Sequence, residues 1–155
     1  MPDLKDLEGP TGKLNRLGAE EARAALLACC GSARWAAEVA ALRPFWDVGQ
    51  LLRIGRRVWF ELESDDWLEA FRAHPRIGES SASADTLDEL ARANREYEER
   101  FGFIYIVCAT GRTAEEMLAL LRGRLSNDPD AELRVAAEEQ WRITELRLKK
   151  FLNVK

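Results

Sequence analysis

The chain has 155 residues, of which 46% are hydrophobic and 32% charged, and its formal net charge is −4. This length suits one domain with one core, and the mild negative charge gives no reason to expect nucleic acid or an anionic membrane as a partner. No apolar stretch is long enough to span a bilayer, and the polar start lacks the apolar centre of a signal peptide. We therefore expect a cytoplasmic protein in which residues 1–13 form a disordered leader and residues 14–155 form a single domain.

Apolar residues recur at helical spacing through most of the first half of the chain, which predicts four successive helices. Ser32, Asp47 and Ser64 stand at the expected starts of three of them, and such side chains cap helix N-termini well. The predicted bounds, in chain order, are Ala19–Cys30, Ala33–Leu42, a third helix from Asp47 through Leu62, and a fourth from Ser64 to His74-Pro75.

In the second half of the chain, the spacing of apolar residues and the helix start and stop signals predict a loop followed by three further helices. The short apolar segment from Phe103 to Ala109 is either a buried extended segment or the start of a buried helix, and periodicity does not separate the two. The predicted order is a loop over Arg76–Ala84, a helix from Asp85 to Phe101 ended by Gly102, a helix opened by Thr113 and Glu116 and broken at Asp128-Pro129, and a last helix from Asp130 to Leu152. The fold class is therefore all-α, a compact single-domain bundle of about seven or eight helices.

The three cysteines do not form a pattern typical of a disulfide framework or a metal site. Cys29 and Cys30 are adjacent, Cys108 is distant, and no CxxC spacing occurs. With a single histidine in the chain, a zinc site of mixed His and Cys ligands is not expected either. We interpret the cysteines as small buried hydrophobic residues. The tryptophans at apolar helical positions are predicted to lie in the core: Trp35, Trp59, Trp67 and Trp141.

His74 is the only histidine and holds the only imidazole available for proton transfer near neutral pH. Pro75 follows it and disfavours the α conformation at residue 74, so a helix should end there beside an irregular loop. No phosphate-binding loop, serine-hydrolase motif or HExxH motif is present. The remaining chemistry suits acid–base work without a cofactor. A surface histidine without a catalytic role would occupy the same kind of position.

Arg147 is the second candidate, because it borders the apolar side of the last helix. It lies four residues after Ile143 and three after Thr144. An arginine there either extends its charged end into solvent or reaches into a cleft and binds a carboxylate through two hydrogen bonds. The spacing alone leaves both interpretations open.

Three segments together resemble one enzyme family. They are WLEAFRAHPRIGE (Trp67 to Glu79), ANREYEERFGFIYIVCATGRTAEEMLALLRGRLSND (Ala93 to Asp128) and ELRVAAEEQWRITELRLKKFL (Glu132 to Leu152). The combination of HPRIG, N-x-x-Y-x-x-x-F-G-F and the final L-R-L resembles 2-oxo-4-hydroxy-4-carboxy-5-ureidoimidazoline (OHCU) decarboxylase, an enzyme family of urate breakdown. The resemblance covers roughly Leu14 to Leu152.

The resemblance implies an all-helical, often homodimeric enzyme with no cofactor and no metal, which decarboxylates OHCU to (S)-allantoin. By this resemblance His74 is the catalytic residue and Pro75 lines the pocket. Arg147 is implied to bind an anionic part of the small-molecule substrate. The backbone after the FGF motif is implied to contact the substrate, and it corresponds to Tyr105, Ile106, Val107, Cys108 and Ala109.

The sequence departs from the family at one place. The family's S-x-x-E-Q motif, whose glutamate works with the histidine, does not occur between His74 and Asn94. Three interpretations follow. Another carboxylate, such as Glu79 or Glu89, replaces the missing one; or the chain keeps the fold and binds a ureide or a protein partner without turnover; or the segment belongs to the natural protein and has been lost from this chain.

Overall fold

The computed structural model describes residues 9–75 and 83–155 of the chain. Those residues form eight helices and no β-strand, which confirms the predicted all-α class. None of these helices is long and apolar enough to cross a membrane. In chain order they are α1 (Gly12–Asn15), α2 (Ala19–Cys29), α3 (Ala33–Ala41), α4 (Val48–Glu61), α5 (Ser64–Arg72), α6 (Ala84–Phe101), α7 (Ala114–Arg124) and α8 (Pro129–Phe151).

Local capping chemistry explains where several helices begin and end. The side chains of Ser32, Asp47 and Thr113 each accept the backbone N–H three residues further on, at 3.1, 2.7 and 3.1 Å. At the other end of α6, Gly102 has φ of 80°, the left-handed conformation that glycine adopts without a steric penalty. These signals are short-range, and the predicted helices therefore lie close to the observed ones.

Two predicted stretches are settled only in part by the observed structure. The segment from Phe103 to Ala109 forms neither a helix nor a strand, which excludes the start of a buried helix and leaves the extended segment as the remaining alternative. The predicted loop over Arg76–Ala84 ends one residue earlier than expected, because α6 begins at Ala84 with Ser83 as its cap. Residues 76–82 of that loop lie outside the described residues.

Contacts divide the chain into two units. The first contains the chain up to Ala70 and again from Trp141 to the end, and the second runs from Phe71 to Gln140. Helix α8 supplies residues to both, since Gln140 and Trp141 lie within it.

The first unit is built around tryptophan side chains. The rings of Trp35 and Trp59 are fully buried, and Trp67 and Trp141 are nearly so, which confirms the predicted core positions. The indole N–H of Trp35 donates to the carbonyl of Gly55 at 2.9 Å, and that of Trp67 donates to the carbonyl of Trp59 at 2.8 Å. Each large ring thus buries its apolar surface and satisfies its one polar group.

The start of the described chain is tied into the first unit. The Thr11 hydroxyl donates to the carbonyl of Phe45 at 2.6 Å, and the Asn15 side-chain amide both donates to that carbonyl and accepts from the Phe45 N–H. Thr11 is 1% exposed. Thr11 and the start of α1 at Gly12 lie inside the range predicted as a disordered leader, so that prediction does not describe residues 9–13. Residues 1–8 lie outside the described residues.

Gly55 marks a close approach between α4 and two aromatic rings. A methyl group added at its Cα would lie 3.0 Å from Cη2 of Trp141 and 3.5 Å from a ring carbon of Trp35. Gly123 in α7 is the matched case, because a methyl group there meets no atom within 4 Å. Alanine has a higher helix propensity than glycine at both positions. Packing therefore determines how the two substitutions differ in their effect on the free energy of unfolding.

We expect Gly55→Ala to lower the free energy of unfolding by about 1–2 kcal/mol, because crowding of the Trp141 ring outweighs a propensity gain of about 0.5–1 kcal/mol. The control, Gly123→Ala, should raise it by about 0.5–1 kcal/mol. Urea titrations of both variants and the unchanged protein measure these values. Equal stabilisation of the two variants would contradict the close packing at Gly55.

Candidate active site

His74 follows the end of α5 and is held there by two hydrogen bonds. Its backbone N–H donates to the carbonyl of Phe71 at 3.1 Å, which closes the last turn. Its ring Nε2 lies 2.5 Å from Oε1 of Gln140. An amide oxygen only accepts hydrogen bonds, so this contact is a hydrogen bond when the ring proton is on Nε2. The ring is half-buried, and the next residue, Pro75, is exposed.

The predicted substrate-binding segment lies in the same unit and is mostly buried. Tyr105 and Ile106 are each 2% exposed, Val107 and Cys108 are also buried, and Ala109 is exposed. Since the segment belongs to no helix or strand, its backbone polar groups need other partners. Side chains from distant parts of the second unit supply several of them.

Glu139 and Arg112 hold the backbone of Cys108. Oε1 of Glu139 accepts the Cys108 N–H at 3.3 Å and the Arg112 Nη1 at 2.8 Å. The same Nη1 donates to the Cys108 carbonyl at 3.2 Å, so both backbone polar groups of Cys108 are engaged. The hydrogen bond to Glu139 raises the pKa of Arg112, which keeps its guanidinium charged.

Arg124 holds the carbonyl of Ile106. Its Nη1 donates to that oxygen at 2.8 Å, while its Nε donates to Oε2 of Glu132 at 2.7 Å. The Tyr97 hydroxyl also donates to Oε2 of Glu132, and the Asn127 amide donates to the other carboxylate oxygen at 3.0 Å. Glu132 is fully buried, so these partners replace the water that its charge has lost.

The remaining backbone donors define what the segment can offer to a bound molecule. Within residues 9–75 and 83–155, the N–H groups of Ile106 and Val107 have no hydrogen-bond partner. A buried donor left unpaired costs free energy. The N–H of Cys108 is not among these donors, because Glu139 already accepts it.

Arg147 belongs to the first unit and lies next to the end of α2. Its Nη1 is 3.5 Å from the carbonyl oxygen of Cys29, a long and weak hydrogen bond. Burial raises the pKa of the Cys29 thiol to about 11, and the Arg147 charge opposes that rise. Burial also raises the pKa of Cys30 to about 12, so both thiols stay protonated near neutral pH, as small buried hydrophobic residues would.

Of the two carboxylates suggested as replacements for the missing glutamate, the structure describes only one. Glu79 lies outside the described residues. Glu89 forms an exposed ion pair with Arg122, whose Nη2 is 2.8 Å from its Oε2. Among the described residues, no group of three or more His, Cys, Asp or Glu side chains is arranged to hold a metal ion.

Five residues that organise this site were missed from the sequence. Arg112 and Arg124 look like ordinary charged positions of a surface helix or loop. A signal existed only for the partners on α8, because residues 132, 139 and 140 share one side of that helix at spacings of seven and eight. All three are buried acceptors: Glu132, Glu139 and Gln140.

Both tyrosines of the chain belong to this buried network. Burial, followed by the hydrogen bond to Glu132, raises the pKa of Tyr97 above its usual value. Burial raises the pKa of Tyr105 to about 12, although the nearby Arg124 charge acts in the opposite direction. The Tyr105 hydroxyl donates to the carbonyl of Met117 at 3.0 Å, and the Arg124 guanidinium lies 4.8 Å from the centre of its ring.

The fold and the site define an all-helical protein that holds a single imidazole at a helix end, in the same unit as a partly unpaired backbone segment. Residues 15–149 match the family model described as OHCU decarboxylase. The chain belongs to the OHCU decarboxylase family, as the HPRIG, FGF and LRL segments predict.

Curated relatives and a solved structure support the same family assignment. The chain is 39% identical to the uric acid degradation bifunctional protein TTL of Arabidopsis thaliana, over 82% of this chain and 46% of that protein. It is 30% identical to the OHCU decarboxylase of Haloferax volcanii, over 74% of this chain and 79% of that protein. A crystal structure of OHCU decarboxylase in the presence of (S)-allantoin superposes with a TM-score of 0.80 at 39% identity, covering 88% of this chain and 99% of that one.

The plant relative is longer than this chain. The chain spans about half of that bifunctional protein.

We expect neither tyrosine to ionise near pH 10 in the folded protein, and both to do so in the urea-unfolded chain. Because the pKa of each phenol is higher in the folded state, this contribution to stability is complete below about pH 10 and is lost as the pH rises toward about 12. Tyrosinate absorbance at 295 nm, followed with circular dichroism, measures both events. Half of the full tyrosinate signal at pH 10.5 in a folded sample would contradict the buried network.

Proposed function

We propose that this chain decarboxylates OHCU to (S)-allantoin without a cofactor, as a step in urate catabolism. The observation that carries the proposal is the match to the OHCU decarboxylase family over residues 15–149, a range that includes every proposed site residue. The similar crystal structure obtained in the presence of (S)-allantoin supports the choice of product.

The chemistry suits the groups that the chain provides. Loss of carbon dioxide leaves an electron pair that spreads into the adjacent carbonyl and ring of the substrate. The protein then has to stabilise the developing charge and add a proton to one face of the product. An imidazole, fixed backbone donors and a guanidinium are sufficient for these tasks.

Each proposed residue has one role. His74 exchanges the proton, and Pro75 lines the pocket beside it. The segment formed by Tyr105, Ile106, Val107, Cys108 and Ala109 binds the substrate ring, with the N–H groups of Ile106 and Val107 as its donors. Arg147 binds an anionic group of the substrate, which its planar guanidinium suits.

A second candidate function follows from the missing S-x-x-E-Q motif. In this alternative the chain is a catalytically impaired relative that binds a ureide or a protein partner without turnover. Its motivating observation is that no such motif lies between His74 and Asn94. It predicts binding of allantoin, or of a protein, without acceleration of OHCU decay.

Three further proposals concern the chain as a whole. From its length we propose that residues 14–155 act as one functional domain, and from the lack of an apolar span or signal sequence that the protein acts in the cytoplasm. The family resemblance adds the proposal that two copies associate as a homodimer. The coverage of 79% of the Haloferax volcanii enzyme and 99% of the similar solved chain supports one functional domain.

We expect the protein to accelerate the decay of freshly prepared OHCU and to yield optically active (S)-allantoin. His74→Asn should remove the acceleration, because asparagine keeps a polar group in place but does not exchange protons near neutral pH. Absorbance follows the substrate, and circular dichroism follows the chirality of the product.

Glu115→Gln, an exposed change on α7, is the matched control and should keep the full rate. Far-ultraviolet circular dichroism checks that each variant is folded. Racemic allantoin formed at the uncatalysed rate by the unchanged protein would exclude the decarboxylase function. Calorimetric binding of allantoin in the same sample would then favour the alternative.

We expect Arg147→Met to raise KM by about tenfold or more with little change in kcat, since a charge-assisted contact kept throughout the reaction contributes about 1.5–3 kcal/mol to binding. The KM of Arg147→Lys should lie between those of the unchanged protein and Arg147→Met, because lysine keeps the charge but not the paired donors. Lys150→Met removes one exposed charge from the same helix and serves as the control. An unchanged KM in Arg147→Met would refute the proposed substrate contact.

A further inference from the structure

We propose that Gln140 is a positioning residue that fixes the tautomer of His74, so that Nδ1 is the ring nitrogen that exchanges the proton with substrate. This inference rests on the proposed decarboxylase function for its kinetic part. Its structural part concerns only which ring nitrogen carries the proton. Nothing in the HP motif itself specifies that choice.

The geometry of the contact carries the proposal. Oε1 of Gln140 lies 2.5 Å from Nε2 of His74, and the Gln140 side chain is fully buried. A carbonyl oxygen at that distance requires the ring N–H to be on Nε2. In the neutral ring, the basic lone pair is then on Nδ1.

The position of Gln140 on α8 couples the ring to the substrate-binding segment. The preceding residue, Glu139, accepts the N–H of Cys108 at 3.3 Å and is paired with Arg112. Two consecutive residues of one helix therefore hold the imidazole and the Cys108 peptide unit. A rigid helix fixes both attachments together, which is the kind of support that accurate placement of an acid–base group requires.

Two properties make the proposal directly measurable. His74 is the only histidine, so the imidazole ¹⁵N signals of the whole protein belong to one ring. A Gln140 amide turned by 180° would present its NH₂ group to Nε2 and place the ring proton on Nδ1 instead. The two arrangements give opposite assignments of the protonated nitrogen.

We expect ¹⁵N NMR of the unchanged protein, at a pH where the ring is neutral, to show Nε2 protonated and Nδ1 unprotonated. Gln140→Met, which keeps the side-chain length but removes the acceptor, should lower the population of the Nε2–H tautomer and move both ¹⁵N shifts accordingly. Gln140→Glu keeps an acceptor oxygen and should restore the single Nε2–H tautomer. Its carboxylate should also raise the ring pKa by about one unit or more.

The kinetic readout separates positioning from general stability. Gln140→Met should lower kcat by about 10- to 100-fold with little change in KM, because the ring loses its orientation while substrate contacts remain. Gln140→Glu should recover part of that kcat and shift the pH profile to higher pH. Circular dichroism and the ¹⁵N signals identify any variant that fails to fold, and the unchanged protein alone still tests the tautomer.

The outcomes separate the two claims. An active protein whose ring carries its proton on Nδ1, or a Gln140→Met variant with unchanged tautomer and kcat, overturns the role of Gln140 and leaves the decarboxylase function standing. An Nε2–H tautomer that responds to both substitutions, in a protein that does not accelerate OHCU decay, supports the positioning of the ring and refutes the function.

Discussion

The buried carboxylate of Glu132 is the constraint on which the second unit depends. A charge without solvent has to be paired, and Glu132 is paired with Arg124, Tyr97 and Asn127. Arg124 has further donors, and one of them holds the carbonyl of Ile106. The requirement to neutralise one buried charge thereby places a segment that has no helical or strand hydrogen bonds of its own.

One side of α8 extends this arrangement through the second unit. Glu139 and Gln140 follow Glu132 by seven and eight residues, about two helical turns, so all three lie on the same side of the helix. They accept, respectively, from the Arg124 side chain, the Cys108 N–H and the His74 ring. The helix converts a regular spacing in sequence into fixed positions for an irregular backbone segment and an imidazole. Replacing Glu132 or Glu139 by an apolar residue would remove the acceptor of a buried donor, and replacing Gln140 would remove the acceptor of the half-buried His74 ring.

The sequence predicts the helices well and the supports of the site poorly, for one physical reason. Caps such as Ser32, Asp47 and Thr113 act within three residues, so a local pattern is enough to place them. The segment after Gly102 is held by Arg124 and Glu139, which are distant in sequence, and its apolar composition fits a strand or a helix equally well. His74 was found because it is unique, whereas Gln140 resembles any polar residue of a long helix.

One partner of the His74 ring is the amide of Gln140, whereas a carboxylate at that place would perform two tasks. A carboxylate beside an imidazole both orients the ring and stabilises its protonated form. The Gln140 oxygen orients the ring through Nε2 but adds no negative charge to hold a proton there. Under the proposal made above, α8 orients the imidazole through Gln140 independently of the S-x-x-E-Q motif, which does not occur between His74 and Asn94. Orientation of the ring and stabilisation of its charged form are then separate requirements, and Gln140 meets only the first.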